Sequence, residues 1–146
     1  MTLQRMDNVL IVVDDLEAVK AFFLALGMEL EGETTVKGPE VDRLIGLKNA
    51  RSTIVMLRMP DGHGRIELDK FHSPEWGGAK TGPVPVNAPG IQRIMFAVDD
   101  IDGVVTRMLA HDAELVGDVV AYGNEYKLCY IRGPEGIMVG LAEEIG

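Results

Sequence analysis

Hydrophobic positions along the chain follow one rhythm, and follow it twice. A continuous apolar run, Val9 to Val13, is succeeded by Asp14-Asp15, and then by Leu16, Val19, Phe22, Phe23 and Leu26 on a single helical stripe. The same order returns at Ile94 to Val98, Asp99-Asp100, and Ile101, Val104, Val105, Met108 and Leu109. A short unbroken apolar run predicts a strand buried on both faces. Spacing of three and four predicts an amphipathic helix. The aspartates mark each helix start, because a carboxylate accepts from free backbone N–H groups and complements the positive end of the dipole. Gly27 is the natural stop of the first helix, since it tolerates positive φ.

The two copies stay in step from Val9 to Glu33 over Ile94 to Asp118, with acidic residues and glycines coinciding. Their ends match as well: Arg58-Met59-Pro60-Asp61-Gly62 is similar to Arg132-Gly133-Pro134-Glu135-Gly136, and Ile66-Glu67-Leu68 to Val139-Gly140-Leu141. A repeat of this kind is an internal duplication. Three further strands are expected in each copy: 28–33, 52–59 and 65–71 in the first, 113–119, 126–132 and 137–143 in the second. The Pro-Asp-Gly and Pro-Glu-Gly steps punctuate the last hairpin of each. An insertion in the first copy, Gly38 to Gly46, reads as a short helix opened by Pro39. The stretch 73–90, rich in Pro and Gly and lacking periodicity, reads as a linker. The expected organisation is therefore a first βαβββ module over 1–72, a linker over 73–90 and a second module over 91–146.

Composition narrows the partners. The chain has 146 residues and a net charge of −9, with Lys and Arg scattered. A nucleic-acid partner is not expected, because phosphate binding calls for a basic patch. A membrane partner is not expected either: no apolar run is long enough to span a bilayer. The residues from Met1 to Asp7 do not read as a secretory signal, and the single cysteine, Cys129, fits a reducing compartment. The expected location is the cytoplasm.

Strand, Asp-Asp, helix, then Leu26-Gly27-Met28-Glu29-Leu30, ending in Pro60-Asp61-Gly62 and Ile66-Glu67-Leu68, resembles the βαβββ module of the vicinal-oxygen-chelate superfamily, which includes glyoxalase I, bleomycin-resistance proteins and extradiol dioxygenases. The resemblance covers essentially the whole chain. It implies an α+β fold in which two tandem modules form a half-open mixed β-barrel or cupped sheet with helices outside. It also implies a divalent-metal site in many members, with one ligand from the first and one from the last strand of each module.

Carried onto this chain, those positions fall at Asn8, Glu67, Arg93 and Gly140. Glu67 is the residue the superfamily leads one to expect. Asn8 offers only an amide oxygen, and Gly140 offers no side chain. Arg93 is a fixed cation without a lone pair to donate. The standard metal site is therefore expected to be absent and no cofactor is expected, with a divalent metal held by Glu67, Asn8 and water as the alternative. Strand alternation groups Glu67 with Arg65, Asp69 and Phe71, and Gly140 with Met138 and Ala142. Gly140 is expected to leave room where a side chain would otherwise project.

The candidate ligand-binding residues are Asn8, Glu67, Arg93 and Tyr126. Arg93 can fork onto a ligand carboxylate or phosphate, or pair with Glu67. Tyr126 and Tyr130 share a strand face that can meet an aromatic ligand or simply pack in the sheet. Candidate catalytic groups are Glu67 and His72, the latter as a general base near the linker. His63 reads as an exposed turn residue, His111 as a helix-end imidazole, and Cys129 as an inert strand thiol. Asp42 and Arg43 of the insertion read either as a cover for the ligand site or as a surface pair.

Three functions follow. The first is a receptor of the bleomycin-resistance type, binding a small organic, anionic or aromatic ligand without a metal. The second is a glyoxalase-like lyase, isomerase or dioxygenase, metal-dependent or metal-free. The third is an interaction module without a small ligand. The resemblance implies a homodimer.

Overall fold

Each long helix starts where an aspartate side chain turns back on it. Asp15 accepts from the Ala18 N–H at 3.1 Å, and Asp100 accepts from the Gly103 N–H at 3.1 Å. The computed structural model describes residues 2–79 and 82–146. Met1, from the segment read for a signal, and Lys80 and Thr81, from the expected linker, lie outside the described residues. The chain divides into two compact units, Met1–Ala79 and Lys80–Gly146.

The first unit runs β1 (Val9–Val12), α1 (Leu16–Leu26), β2 (Glu29–Lys37), α2 (Pro39–Ile45), β3 (Arg51–Arg58) and β4 (Arg65–Ser73). Its sheet has the order β1-β4-β3-β2. β1 is parallel to β4, with Leu10 beside Glu67 and Val12 beside Asp69. The other pairs are antiparallel. All five residues of the expected stripe on α1 are buried, together with Val55, Leu57, Ile66 and Leu68 from the sheet. Full burial of each such side chain contributes roughly 1.5–3 kcal/mol. Phe22 and Phe23 meet edge to face at 5.1 Å. Gly27 ends α1 at φ 128°, a conformation that would strain any side chain.

The second unit runs β5 (Ile94–Val98), α3 (Ile101–Leu109), β6 (Glu114–Leu115), β7 (Val120–Tyr122), β8 (Tyr126–Arg132) and β9 (Met138–Glu144). Its sheet has the order β5-β9-β8-β6, with β7 also paired to β8. β5 is parallel to β9, with Met95 beside Gly140. The parallel pair of one unit thus repeats in the other, with Leu10 and Glu67 answered by Met95 and Gly140. Ile101, Val104, Val105 and Met108 of α3 are buried, as are Phe96, Cys129, Ile131, Val139 and Leu141.

Three expectations give way. β1 and β5 are not buried on both faces: Leu10 is 48% and Val12 56% exposed, so only the alternate residues enter the core. Leu109, the last residue of α3, is 44% exposed, because about 3.6 residues per turn place it at the edge of the face that Ile101, Val104, Val105 and Met108 bury. The strand expected over 113–119 breaks into β6 and β7, since the chain bends at Val116 and Gly117. In the first unit the matching strand runs on to Lys37 instead, across a bulge between Leu30 and Gly32. The two prolyl turns also differ. Pro134–Gly136 is a single 3-10 turn in which both Glu135 (φ 59°) and Gly136 (φ 77°) have positive φ, whereas in Pro-Asp-Gly the positive φ falls on Gly62. None of the helices among the described residues is long and apolar enough to cross a membrane.

Candidate functional site

In the first unit, alternation puts Leu10 and Val12 of β1, Ile54 and Met56 of β3, and Glu67 and Asp69 of β4 on one face of the sheet. The helix α1 lies on the other, with Val55, Leu57, Ile66 and Leu68. Asn8 stands just before β1 and is exposed. Glu67 is half-buried. Asp69 is only 6% exposed, and no donor among the described residues reaches its Oδ1. Burial, followed by the neighbouring Glu67 carboxyl, raises the Asp69 pKa from the ordinary carboxylate range to about 7. The two guanidinium groups of this face are engaged elsewhere: Arg58 donates to Glu29 at 3.3 Å and Arg65 to Glu31 at 2.8 Å.

His72 does not join Glu67. It falls on the helix-side face of β4, where it hydrogen-bonds the Thr53 hydroxyl at 2.7 Å, and Thr53 meets Thr35 at 3.0 Å. One residue of alternation separates the two faces, so a histidine at the strand end that shares parity with Leu68 cannot share one with Glu67. The two candidate catalytic groups, Glu67 and His72, thus stand on opposite faces of β4.

In the second unit, Arg93 precedes β5. Its Nε–H donates to the Tyr130 hydroxyl at 2.8 Å, and its Cζ lies 5.1 Å from the Tyr130 ring centre. A guanidinium over an aromatic ring is held by both charge and contact. The partner that the structure gives Arg93 is thus Tyr130, a tyrosine that sequence reasoning grouped with Tyr126 but did not join to Arg93. Tyr126 lies on the same face of β8, exposed, beside Tyr122 of β7. Gly140 does not leave a vacancy. A Cβ built there would stand 2.7 Å from the Met95 sulfur and 3.3 Å from the Tyr130 ring. The thioether of β5 has taken the place of the missing side chain.

The remaining candidates are structural. His63 is an exposed turn residue. The His111 ring Nδ1 meets the Arg107 carbonyl at 3.0 Å, closing the end of α3. Cys129 is buried and desolvation raises its thiol pKa, which keeps it unreactive near neutrality. Asp42 is not half of a surface pair with Arg43. It accepts from the N–H groups of Asn49 and Ala50, both at 2.9 Å.

These residues do not fit the metal that the superfamily resemblance implies. Dication ligands must offer lone pairs. Of the four positions, Asn8 offers an amide and Glu67 a carboxylate, whereas Arg93 is a cation bound to a phenol and Gly140 is covered by a thioether. Among the described residues, no group of three or more His, Cys, Asp or Glu is placed to hold a metal.

Comparison with known proteins supplies the lineage. A glyoxalase family protein from Bacillus cereus is 50% identical, with a TM-score of 0.95 over 100% of this chain and 97% of that one. A glyoxalase family protein from Enterococcus faecalis is 22% identical, with a TM-score of 0.67 over 98% and 100%. A genomically encoded fosfomycin resistance protein from Listeria monocytogenes shares the fold at 14% identity, with a TM-score of 0.66 over 97% and 94%. Among curated proteins none matches. The family model described as Glyoxalase/Bleomycin resistance protein/Dioxygenase superfamily matches residues 5–141, and the chain belongs to that superfamily.

Proposed function

We propose that the protein is a small-molecule receptor of the bleomycin-resistance type, which binds an anionic or aromatic organic ligand without the superfamily's standard metal. One observation carries this reading: a metal-ligand position is occupied by Arg93, stacked on and bonded to Tyr130. The guanidinium keeps unused donors for a carboxylate or phosphate. Tyr126, exposed on the same sheet face, offers a surface for an aromatic ring. In the first unit, Asn8 and Glu67 are the proposed ligand contacts, accepting hydrogen bonds from donor groups of the ligand and not meeting its anionic end. An antibiotic binding protein from a Streptomyces species has the same fold, at 16% identity and a TM-score of 0.62. We place the protein in the cytoplasm, where a single buried thiol stays reduced, and as a homodimer. The two βαβββ modules, 1–72 and 91–146, joined by a linker over 73–90, are proposed to act together as one domain.

The test is elemental analysis of the purified, untagged protein, followed by titration with Mn, Fe, Ni and Zn. No stoichiometric metal and no uptake are expected. Arg93→His, which removes a cation and supplies an imidazole, is expected to raise metal affinity by roughly tenfold or more. Stoichiometric metal in the wild type would overturn the reading in favour of a glyoxalase-like enzyme. A metal-free lyase or isomerase is the second reading, and the buried Asp69 carboxyl favours it: a carboxyl whose pKa is raised by burial can hold a proton for acid–base chemistry.

A further inference from the structure

The receptor reading uses Glu67 and gives its buried neighbour Asp69 no role. Glu67 and Asp69 project from the same face of β4, near enough for the Glu67 carboxyl to raise the Asp69 pKa. Asp69 is nine-tenths buried, and no protein donor reaches its Oδ1 among the described residues. Buried polar atoms in folded proteins nearly always have partners, so each exception calls for an explanation. Apolar side chains flank the pair on both sides: Leu10 and Val12 from β1, Ile54 and Met56 from β3.

Among the described residues of the first unit, no ion pair joins a cation to Glu67 or Asp69. Arg58 and Arg65, the two on this face, bind Glu29 and Glu31. Lys70 falls on the opposite face and pairs with Asp14 at 2.8 Å. Lys20 of α1 pairs with Glu17 and Glu33. Two carboxyl groups side by side repel an anion, and they favour a hydrogen-bond donor that also carries positive charge.

We propose that Glu67 and Asp69 form a binding site for a cationic nitrogen, an ammonium or amidinium borne by an organic ligand with an apolar body. The half-buried Glu67 gives the open side of the site. The nitrogen donates to the carboxyl oxygens, and the apolar body lies along Val12, Ile54 and their neighbours. The proposal does not draw on Arg93, so its failure leaves the metal-free reading standing.

The experiment is amide NMR titration of the full chain with benzylammonium, butylammonium and benzamidinium. Benzoate and benzyl alcohol serve as matched probes of other charge, all at one pH and at physiological salt. At least one cationic probe is expected to bind saturably, one to one, with its largest shifts at Glu67 to Asp69 and the adjoining residues of β1 and β3. Asp69→Asn and Glu67→Gln are each expected to weaken that binding by roughly tenfold. Glu40→Gln, which removes an equal charge from the surface of α2, is expected to leave it unchanged and so separates the site from the general pull of a −9 chain. The proposal is overturned if none of the three cations saturates at these residues, or if benzoate binds there as tightly. It is also overturned if Glu40→Gln weakens binding as much as Asp69→Asn does, or if MnCl2 alone binds the pair and the organic cations do not. Glu67→Gln keeps the test decisive should Asp69→Asn fail to fold.

Discussion

Gly140 and Met95 divide one space. The glycine lets the methionine thioether lie against the β9 backbone, and the methionine fills what the glycine leaves open. A methyl group at position 140 must push the thioether aside. Met95 is flexible enough to yield, so Gly140→Ala is expected to cost about 1 kcal/mol, the low end for overpacking. Met95→Ala in the same chain is expected to recover most of that loss, whereas two independent sites would simply add. Urea midpoints of the two single variants and the double variant check this. At this scale the sequence was partly legible. It identified Glu67 and Arg93 as positions of interest, because both stand at fixed steps from recognisable motifs. It did not reveal that Arg93 would take Tyr130, or that Asp69 would be buried beside Glu67. Both facts depend on strand register and side-chain direction, which lie across the sheet rather than along the chain.

Elements were more legible than contacts, and for a physical reason. The stripe on α1 was readable because helix burial follows a period set by the backbone, and its five residues are the five that are buried. Strand ends were less so: β2 continues to Lys37 because β3 is there to pair with it, as far as Arg51. The insertion illustrates both sides. Pro39 announces the start of α2, yet the role of Asp42 is set by residues that follow the helix. Its carboxylate collects two N–H groups from the returning chain, one of them on buried Ala50. Asp42→Ala is expected to destabilise by about 1–3 kcal/mol, since it strands a buried donor. Amide exchange at Asn49 and Ala50 should speed up before exchange elsewhere in the first unit. Unchanged exchange there would show that water or another acceptor replaces the carboxylate.

For the molecule as a whole, the buried acid gives stability a dependence on pH. The Asp69 pKa is raised above its unfolded value of 3.8 to about 7. Between those values the folded chain holds a proton that the unfolded chain has lost. This contribution is therefore fully present below about pH 3.8 and is lost as pH rises to about 7. Asp69→Asn removes it, so the variant is expected to gain on the wild type across that window. At pH 8 it should be the more stable by on the order of 1 kcal/mol, as thermal melts of both proteins at pH 5 and pH 8 would reveal. Overall architecture was legible because a duplicated order of elements is a statement about the entire chain, whereas a ligand is chosen by a handful of atoms. The long strand β2, at the edge of its sheet, has a consequence between molecules. A bare nine-residue edge is a template on which another copy can add a strand. Here Glu29, Glu31, Glu33 and Lys37 stud that edge, and the bulge at Leu30/Gly32 breaks its register. A second strand laid against it would meet a row of charged side chains and mismatched hydrogen bonds, so the feature that sets the first unit apart from the second is also expected to disfavour strand addition between copies.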